Sequence, residues 1–439
     1  MAASLRQSTI TENQYRPLDV SKSEIRLLSF ENTSELGPIR LSLHYASLSD
    51  WKHEYVSFRD QNASTISSYQ LSEAWSDRLD FTLATPRREI YDIAARFTWG
   101  DYICLSYTWG GRAGEKATVF LDGVATAVEK HLEAALRDLR ESFECRLGMK
   151  VWVDALCINQ ADIIDRNTHI SHMKDIFGGA FAVTVWTKQQ EDLQVLGLSP
   201  PGEQLLLCEV VLREYGRRAL EELLGVQERD WGEANDEDER LMDLVEDTDV
   251  LVFNQYHWAD SDDEDEFGFG KPHLRDIVLV ELMLLFRKEY WSRLWIIQEL
   301  AVSPTTSVVH WGESTFHLST LQAVGEILLS YSKSEQPSDS ENWRELKPRL
   351  DLLAFISTWR ALEIAPDDDT GRSLNDASIR QLKLLAQHAT CSLPHDKVYA
   401  LLGLLPPSVS SAVTIDYSRE PADVIAEFSS AVPGWAHQP

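Results

Sequence analysis

The sequence predicts an α/β fold, a parallel sheet covered by helices. Two observations carry that prediction. Between residues 102 and 186, short apolar runs alternate with helical ones in the order strand–helix–strand–helix–strand. The strand-like runs are apolar at successive positions, as strands buried on both faces are. Right-handed crossovers then bring the strand C-termini to one edge, where open α/β sheets bind ligands. Composition agrees with a folded chain: 44% of the 439 residues are hydrophobic and 14 are Trp, which excludes global disorder.

Taken in order, Ile25-Arg26-Leu27 and Ile39-Arg40-Leu41-Ser42-Leu43 alternate on either side of a segment ending in Gly37-Pro38, and they predict a hairpin. Residues 46–100 carry little periodicity. Tyr102–Tyr107 is the first buried strand, closed by Trp109-Gly110-Gly111. Glu129–Arg140 is an amphipathic helix with Leu132, Leu136 and Leu139 on one face. Lys150–Asp154 is the second strand, and Ile163–Phe177 a helix stopped by Gly178-Gly179. Ala180–Trp186 is the third strand. Glu203–Leu224 reads as one helix, Arg275–Phe286 as an apolar helix and Ser307–Trp311 as a strand. Helices follow at Leu318–Tyr331, Trp343–Glu363, Arg372–Ala389 and Asp396–Leu404. The expected organisation is an N-terminal elaboration over 1–100, a core over 101–311 with an insert at 188–272, and a mostly helical region over 312–439.

The formal net charge is −29, which argues against non-specific binding to nucleic acid or an anionic membrane. The charge is uneven. Glu228–Glu266 holds 17 acidic and 2 basic residues, so −15 of the −29 sits in one segment. Such a run predicts a solvated loop. The first twenty residues have no apolar signal core, and Ile277–Phe286, interrupted by Glu281, is too short to span a bilayer. Five scattered cysteines without a CxxC pair predict reduced thiols, and together these features predict a cytoplasmic protein. The glycosylation-type triplets at Asn32 and Asn62 are read as chance.

Several common chemistries lack their signatures. The chain has no GxSxG elbow and no GxxxxGK[ST] loop, and Gly268-x-Gly270 lacks a third glycine. His169 and His172 have a spacing that could hold a metal. No further ligand is placed beside them, so they read as helix-surface residues and no metal site is expected.

Three segments concentrate polar groups beside apolar strands. In the first, the strand ending Leu105-Ser106-Tyr107 runs into Trp109, Gly110, Gly111 and Arg112. Glycines there allow backbone N–H groups to approach a ligand, or simply make a turn. In the second, Asp154 ends a strand and is followed by Asn159, Gln160 and Asp162, which suggests a polar site or a helix cap. In the third, Trp291, Trp295 and Glu299 would share one face of a continuous helix. Glu299 is then either held in a partly apolar pocket, where its pKa would rise, or paired at the surface with Arg293 or Lys288.

Taken together, Y-x-x-L-S-Y-x-W-G from Tyr102, W-x-D-A-L-C-I-N-Q-x-D from Trp152 and R-x-W-x-x-Q-E from Arg293 resemble the three blocks of the fungal heterokaryon-incompatibility (HET) domain family. Tyr15-Arg16-Pro17-Leu18 and Asp396-Lys397-Val398-Tyr399-Ala400-Leu401-Leu402-Gly403 resemble its flanks. The resemblance implies non-self recognition ending in growth arrest or regulated cell death. HET domains are similar to TIR domains, so it also implies a TIR/flavodoxin-like sheet. Trp295-Ile296-Ile297-Gln298-Glu299-Leu300 is similar to the W-x-x-x-E-L helix whose glutamate is catalytic in TIR domains that cleave NAD, and that role falls on Glu299. NAD is then the candidate substrate and no cofactor is required.

An oxocarbenium-like transition state needs a carboxylate nearby. Trp109 and Trp295 would wall the ring. Ser106, Tyr107, Gly110, Gly111, Arg112, Asp154, Asn159, Gln160 and Arg293 would complete the binding site. The other reading is a non-enzymatic TIR-like signalling or assembly module. Either implies self-association or a partner incompatibility or sensor protein.

Overall fold

The apolar strand Tyr102–Tyr107 is the axis on which the molecule is built. The computed structural model describes residues 15–31, 37–61, 96, 99, 101–108, 115–146, 148–187, 202–225, 274–312, 314–334, 341–364, 376–432 and 435. Trp109, Gly110, Gly111 and Arg112, the two Asn triplets, Gly268-x-Gly270 and the acidic segment Glu228–Glu266 lie outside them.

Among the described residues, nine strands make one mixed sheet. In chain order they are β1 (Glu24–Phe30), β2 (Arg40–Ser47), β3 (Tyr102–Tyr107), β4 (Lys116–Leu121), β5 (Val124–Glu129), β6 (Lys150–Trp152), β7 (Ala182–Trp186), β8 (Val308–Trp311) and β9 (Ser314–His317). Their order across the sheet is β5-β4-β2-β1-β6-β3-β7-β8-β9. The central four, β6-β3-β7-β8, are all parallel. β3 and β7 are buried at every position, the pattern expected of strands covered on both faces. The hairpin of β1 and β2 joins the same sheet, with Leu28 opposite Val151 in an antiparallel pair.

Several elements differ from expectation. Lys116–Glu129 contains a hairpin, β4–β5, which the sequence reading does not include. Its turn is Asp122-Gly123, both with positive φ (48° and 78°), as a two-residue hairpin turn requires. β9 follows β8 as a second unpredicted hairpin strand. Helices Leu48–Gln61 and Pro421–Ala431 are likewise additions. Glu203–Leu224 is not one helix but two, Glu203–Glu214 and Gly216–Leu223, because Gly216 adopts φ +83° and a left-handed residue ends an α-helix.

The covering helices follow their apolar stripes. Lys130–Glu141 buries Leu132, Ala135, Leu136 and Leu139. Ile163–Gly179 begins at Asp162, whose side chain caps the N–H groups of Ile164 and Asp165. The C-terminal region supplies Leu318–Ser334, Glu341–Ile364, Asp376–His388 and Asp396–Leu402. Their apolar faces belong to the same hydrophobic cluster as the sheet. All five cysteines are unbridged, four of them buried. Among the described residues, no helix is long and apolar enough to cross a membrane.

His169 corrects an expectation. It is buried rather than on the helix surface, with Nδ1 2.9 Å from the Asp165 carbonyl one turn earlier. Its Nδ1 is thus engaged inside the protein, beside the Asp165 carboxylate at 3.3 Å, while Nε2 is buried without a hydrogen-bond partner among the described residues.

Glu281, in the helix Leu274–Phe286, is buried and accepts the N–H of Gly202 at 3.1 Å, at the start of helix Glu203–Glu214. Burial pushes its carboxyl up to about 7. A carboxyl raised in the fold binds a proton the unfolded chain has already lost, so stability falls as pH rises between the ordinary glutamate value and about 7. Glu281→Gln should flatten that part of a plot of Tm against pH. A slope unchanged from pH 5 to 7.5 would show that Glu281 does not set it.

Candidate active site

The C-terminal end of β3 meets the glutamate helix at Ser106. β3 lies between β6 and β7, with Ser106 opposite Val185 and Tyr107 opposite Trp186. Here the parallel strands run second, first, third, fourth in chain order, so successive crossovers diverge on the two sides of β3. Divergence of that kind leaves a crevice beyond the strand C-termini.

Glu299 reaches this position from a short helix, Ile296–Ala301, every residue of which is buried. That helix packs against Ile163–Gly179, Glu341–Ile364 and Asp396–Leu402. Glu299 is only 4% exposed. Its carboxylate accepts the Ser106 hydroxyl, and the same Ser106 Oγ lies 2.8 Å from the Tyr290 hydroxyl. Glu299, Ser106 and Tyr290 therefore form a buried polar chain between β3 and the glutamate segment.

The electrostatics follow from this enclosure. Burial pushes the Glu299 carboxyl above its ordinary range, the Arg293 guanidinium and the Ser106 hydrogen bond pull it back, and Asp154 adds to the rise. Burial also raises the Tyr290 phenol, and the neighbouring Glu299 raises it further. Glu299 is thus a buried carboxyl rather than half of a surface ion pair.

The other expected site residues divide. Ser106 and Glu299 are in direct contact. Asp154, half-buried at the start of the short helix Asp154–Cys157, is near enough for its charge to be felt at Glu299. The Arg293 guanidinium donates to the Tyr107 carbonyl, while the Tyr107 ring is buried in the core.

Asn159 and Gln160 are engaged in shaping the loop. The Asn159 N–H donates to Asp165 at 2.8 Å, and Gln160 Nε2 donates to the Asp154 carbonyl at 3.1 Å. Trp295 bonds to Asp396, which also accepts the Tyr417 hydroxyl at 2.6 Å. Its ring therefore belongs to a junction with the C-terminal region.

The expected single helix through Trp291, Trp295 and Glu299 does not form. Glu289–Ser292 is a 3-10 turn, and Arg293 is extended (φ −70°, ψ 137°) before the α-helix begins at Ile296. Trp291 instead packs edge-on against Phe286 and Tyr290. The aromatic group linked to the Glu299 carboxylate, through Ser106, is thus Tyr290, a residue the sequence reading did not select. Its one sequence signal is an aromatic pair, Tyr290-Trp291, set between charged residues just ahead of the motif.

The flanking D-K-V-Y-A-L-L-G segment docks on the glutamate motif. Gly403 N–H donates to Gln298 Oε1 at 3.2 Å, and a Cβ on Gly403 would lie 2.8 Å from the Gln298 amide. Gly403→Ala should therefore disturb the Glu299 helix and lower Tm by a few degrees, about 1 kcal/mol. A melting curve identical to wild type would show that Gln298 moves aside without cost.

A buried carboxylate bonded to a strand-end serine, at the C-terminal end of the parallel strands of a mixed sheet, defines an α/β domain with a candidate centre among the described residues. Comparison with known proteins shows what one part of the chain resembles. Residues 102–299 match the family described as Heterokaryon incompatibility protein (HET), and the last matched residue is Glu299. The match covers 198 of the 439 residues, and that stretch is similar to the HET family. The chain is also 22% identical over 336 residues to Heterokaryon incompatibility protein 6, OR allele, of Neurospora crassa, a match covering 71% of this chain and 41% of that protein. The chain thus spans about two fifths of that relative's length. No solved structure matches the chain.

Proposed function

We propose that this chain is an effector of fungal non-self recognition whose HET domain cleaves NAD at the nicotinamide–ribose bond, with Glu299 as the catalytic carboxylate. The observation carrying this reading is the buried Glu299 carboxylate, bonded to Ser106 at the C-terminal end of β3. The second–first–third–fourth order of the parallel strands supports a TIR/flavodoxin-like arrangement, in which ligands sit where the strand order reverses. The name of the Neurospora relative supports the biological class.

The chemistry asks little more of the protein. The glycosidic bond breaks with both electrons leaving on the nicotinamide nitrogen, which loses its positive charge. The ribose carbon becomes an oxocarbenium centre, which Glu299 stabilises or bonds. Water then adds, giving ADP-ribose and a proton. A cationic pyridinium beside Glu299 also favours its ionised form, so substrate offsets part of the burial cost that raises its pKa. Because the active form is the anion, kcat/KM should rise with pH along an acid limb displaced above the ordinary glutamate value. A limb centred at or below that value would contradict the role.

The test is to incubate the purified chain with NAD, at concentrations high enough for self-association or with a partner sensor protein. Nicotinamide is then measured by chromatography, with Glu299→Gln as control. Nicotinamide from wild type alone supports the proposal, and none from wild type overturns it. One observation favours a second reading, a non-enzymatic TIR-like assembly module: Glu299 is bonded inside the protein, as a carboxylate that merely ties its helix to β3 would be.

A further inference from the structure

At the opposite edge of the sheet, around the N-terminal end of β3, lies a cavity of about 440 Å³, large enough for a small molecule. Its wall is aromatic. Trp51 and Tyr55, from the helix Leu48–Gln61, stand 4.3 and 5.3 Å from the ring of Trp99, measured between centroids. Trp51 also meets Tyr102 edge-on at 5.5 Å. Trp51, Tyr55 and Trp99 are each half-buried, so part of each ring faces the cavity rather than the core.

The charges around these rings do not balance. Arg96 donates through Nε to Asp101 and through Nη2 to the Gly179 carbonyl at 2.9 Å. Asp101, fully buried, also accepts the Trp51 indole at 3.2 Å and the Tyr102 N–H at 2.8 Å. Arg96 and Asp101 thus cancel one another. Asp175 remains, 66% exposed, with His172 as its ion-pair partner at 3.8 Å. The helix Ile163–Gly179 ends at the cavity wall, adding the partial negative charge of a helix C-terminus.

We propose that this cavity binds an organic cation, an alkylammonium or guanidinium group, held against Trp51 and Trp99 with Asp175 as counter-charge. Three features share one sign here: ring faces, which attract cations, the exposed Asp175 carboxylate, whose partner is an imidazole rather than a lysine or arginine, and a helix C-terminus. The chain's net charge of −29 acts in the same direction and works against an anion. The cation has two sources of the same chemistry, a free small molecule or a basic side chain of a partner protein. The site is separate from Glu299 and independent of any NAD chemistry.

The test uses tryptophan fluorescence and calorimetry on the full chain. The probes are choline, its neutral isostere 3,3-dimethylbutanol, and a capped Gly-Gly-Arg-Gly-Gly peptide, all at constant ionic strength. Choline should bind saturably and at least about tenfold more tightly than the isostere. Asp175→Asn, at an exposed position that leaves folding intact, should weaken choline binding about three- to tenfold. Trp99→Leu should abolish it, with thermal melts confirming a folded protein. Peptide binding that competes with choline assigns the site to a partner's side chain, and choline binding alone assigns it to a free cation. Equal affinity for choline and the isostere, no effect of Asp175→Asn, or no saturable binding of any probe would overturn the proposal.

Discussion

If Glu299 is the catalytic carboxylate proposed above, Glu299→Gln should leave a folded protein that no longer releases nicotinamide, the rate falling by about 10³-fold or more, ~4 kcal/mol of transition-state stabilisation. Its Tm at pH 8 should equal or exceed that of wild type. Both halves follow from the same geometry. Glu299 is buried on a helix that is itself buried throughout, and burial penalises its charged form. Glutamine keeps the shape, and its carbonyl still accepts from Ser106, but it carries no charge to desolvate. A carboxylate retained only to tie the helix to β3 would show the same Tm response but have no activity to lose. Chromatography on this pair of proteins therefore separates the enzyme from the scaffold, and the melting curve confirms that the variant is folded. Ser106→Ala refines the comparison. It removes a donor that favours the anion, so the acid limb of kcat/KM moves to higher pH while the plateau changes less. An unmoved limb would mean that Ser106 does not tune Glu299.

How much of this was legible in the sequence depends on the range of the interaction. β3, β6 and β7 were readable because burial on both faces leaves unbroken apolar runs, and Asp162 because capping is local. Ser106 and Glu299, 193 positions apart, were paired through family motifs and not through periodicity. Tyr290 has no motif and was missed, although it completes the polar chain. The β4–β5 hairpin was passed over although Asp122-Gly123 is a strong turn signal, because Glu129 also opens the following helix. The misplaced helix through Trp291 and Trp295 shows the limit of spacing arguments. Residues at i, i+4 and i+8 share a face only if no residue between them is extended, and Arg293 is. The cavity at Trp51 and Trp99 was also invisible, since half of its wall lies in a stretch of weak periodicity.

Arg26 is the residue whose loss should cost the most stability, and nothing in its sequence neighbourhood announces it. It sits in β1, in an alternating segment where an arginine would be taken as solvent-facing, yet it is 1% exposed. Its guanidinium makes a two-pronged pair with Asp165, at 2.9 and 2.7 Å, from a strand lying before the matched HET region to a helix within it. It also donates to the Cys157 and Arg16 carbonyls at 3.1 and 3.0 Å, and it lies 4.7 Å from the Tyr15 ring. Burial alone would raise the Asp165 carboxyl, but hydrogen bonds from His169 and Arg26 outweigh it and hold the group well below the usual carboxylate range.

Removing one partner of such a pair strands the other charge without water. Arg26→Met or Asp165→Leu alone should therefore cost about 3–5 kcal/mol. The double variant should recover much of that loss, because an apolar pair has no charge to desolvate. The pH dependence has a definite sign. A carboxyl depressed in the fold gives stability that is present above its unfolded value and is lost as pH falls, here below about 4. Arg26→Met should weaken that acid limb, and urea midpoints between pH 3 and 7 would show it. Additive single and double variants would mean that the two side chains stabilise the fold separately. Coupling would mean that β1 is fastened to the loop carrying Asp154, Asn159 and Gln160 through this pair, because Asp165 also accepts the Asn159 N–H. In that case, loss of Arg26 should loosen the loop whose Asp154 charge reaches Glu299 and shift the activity profile from a position in the first strand.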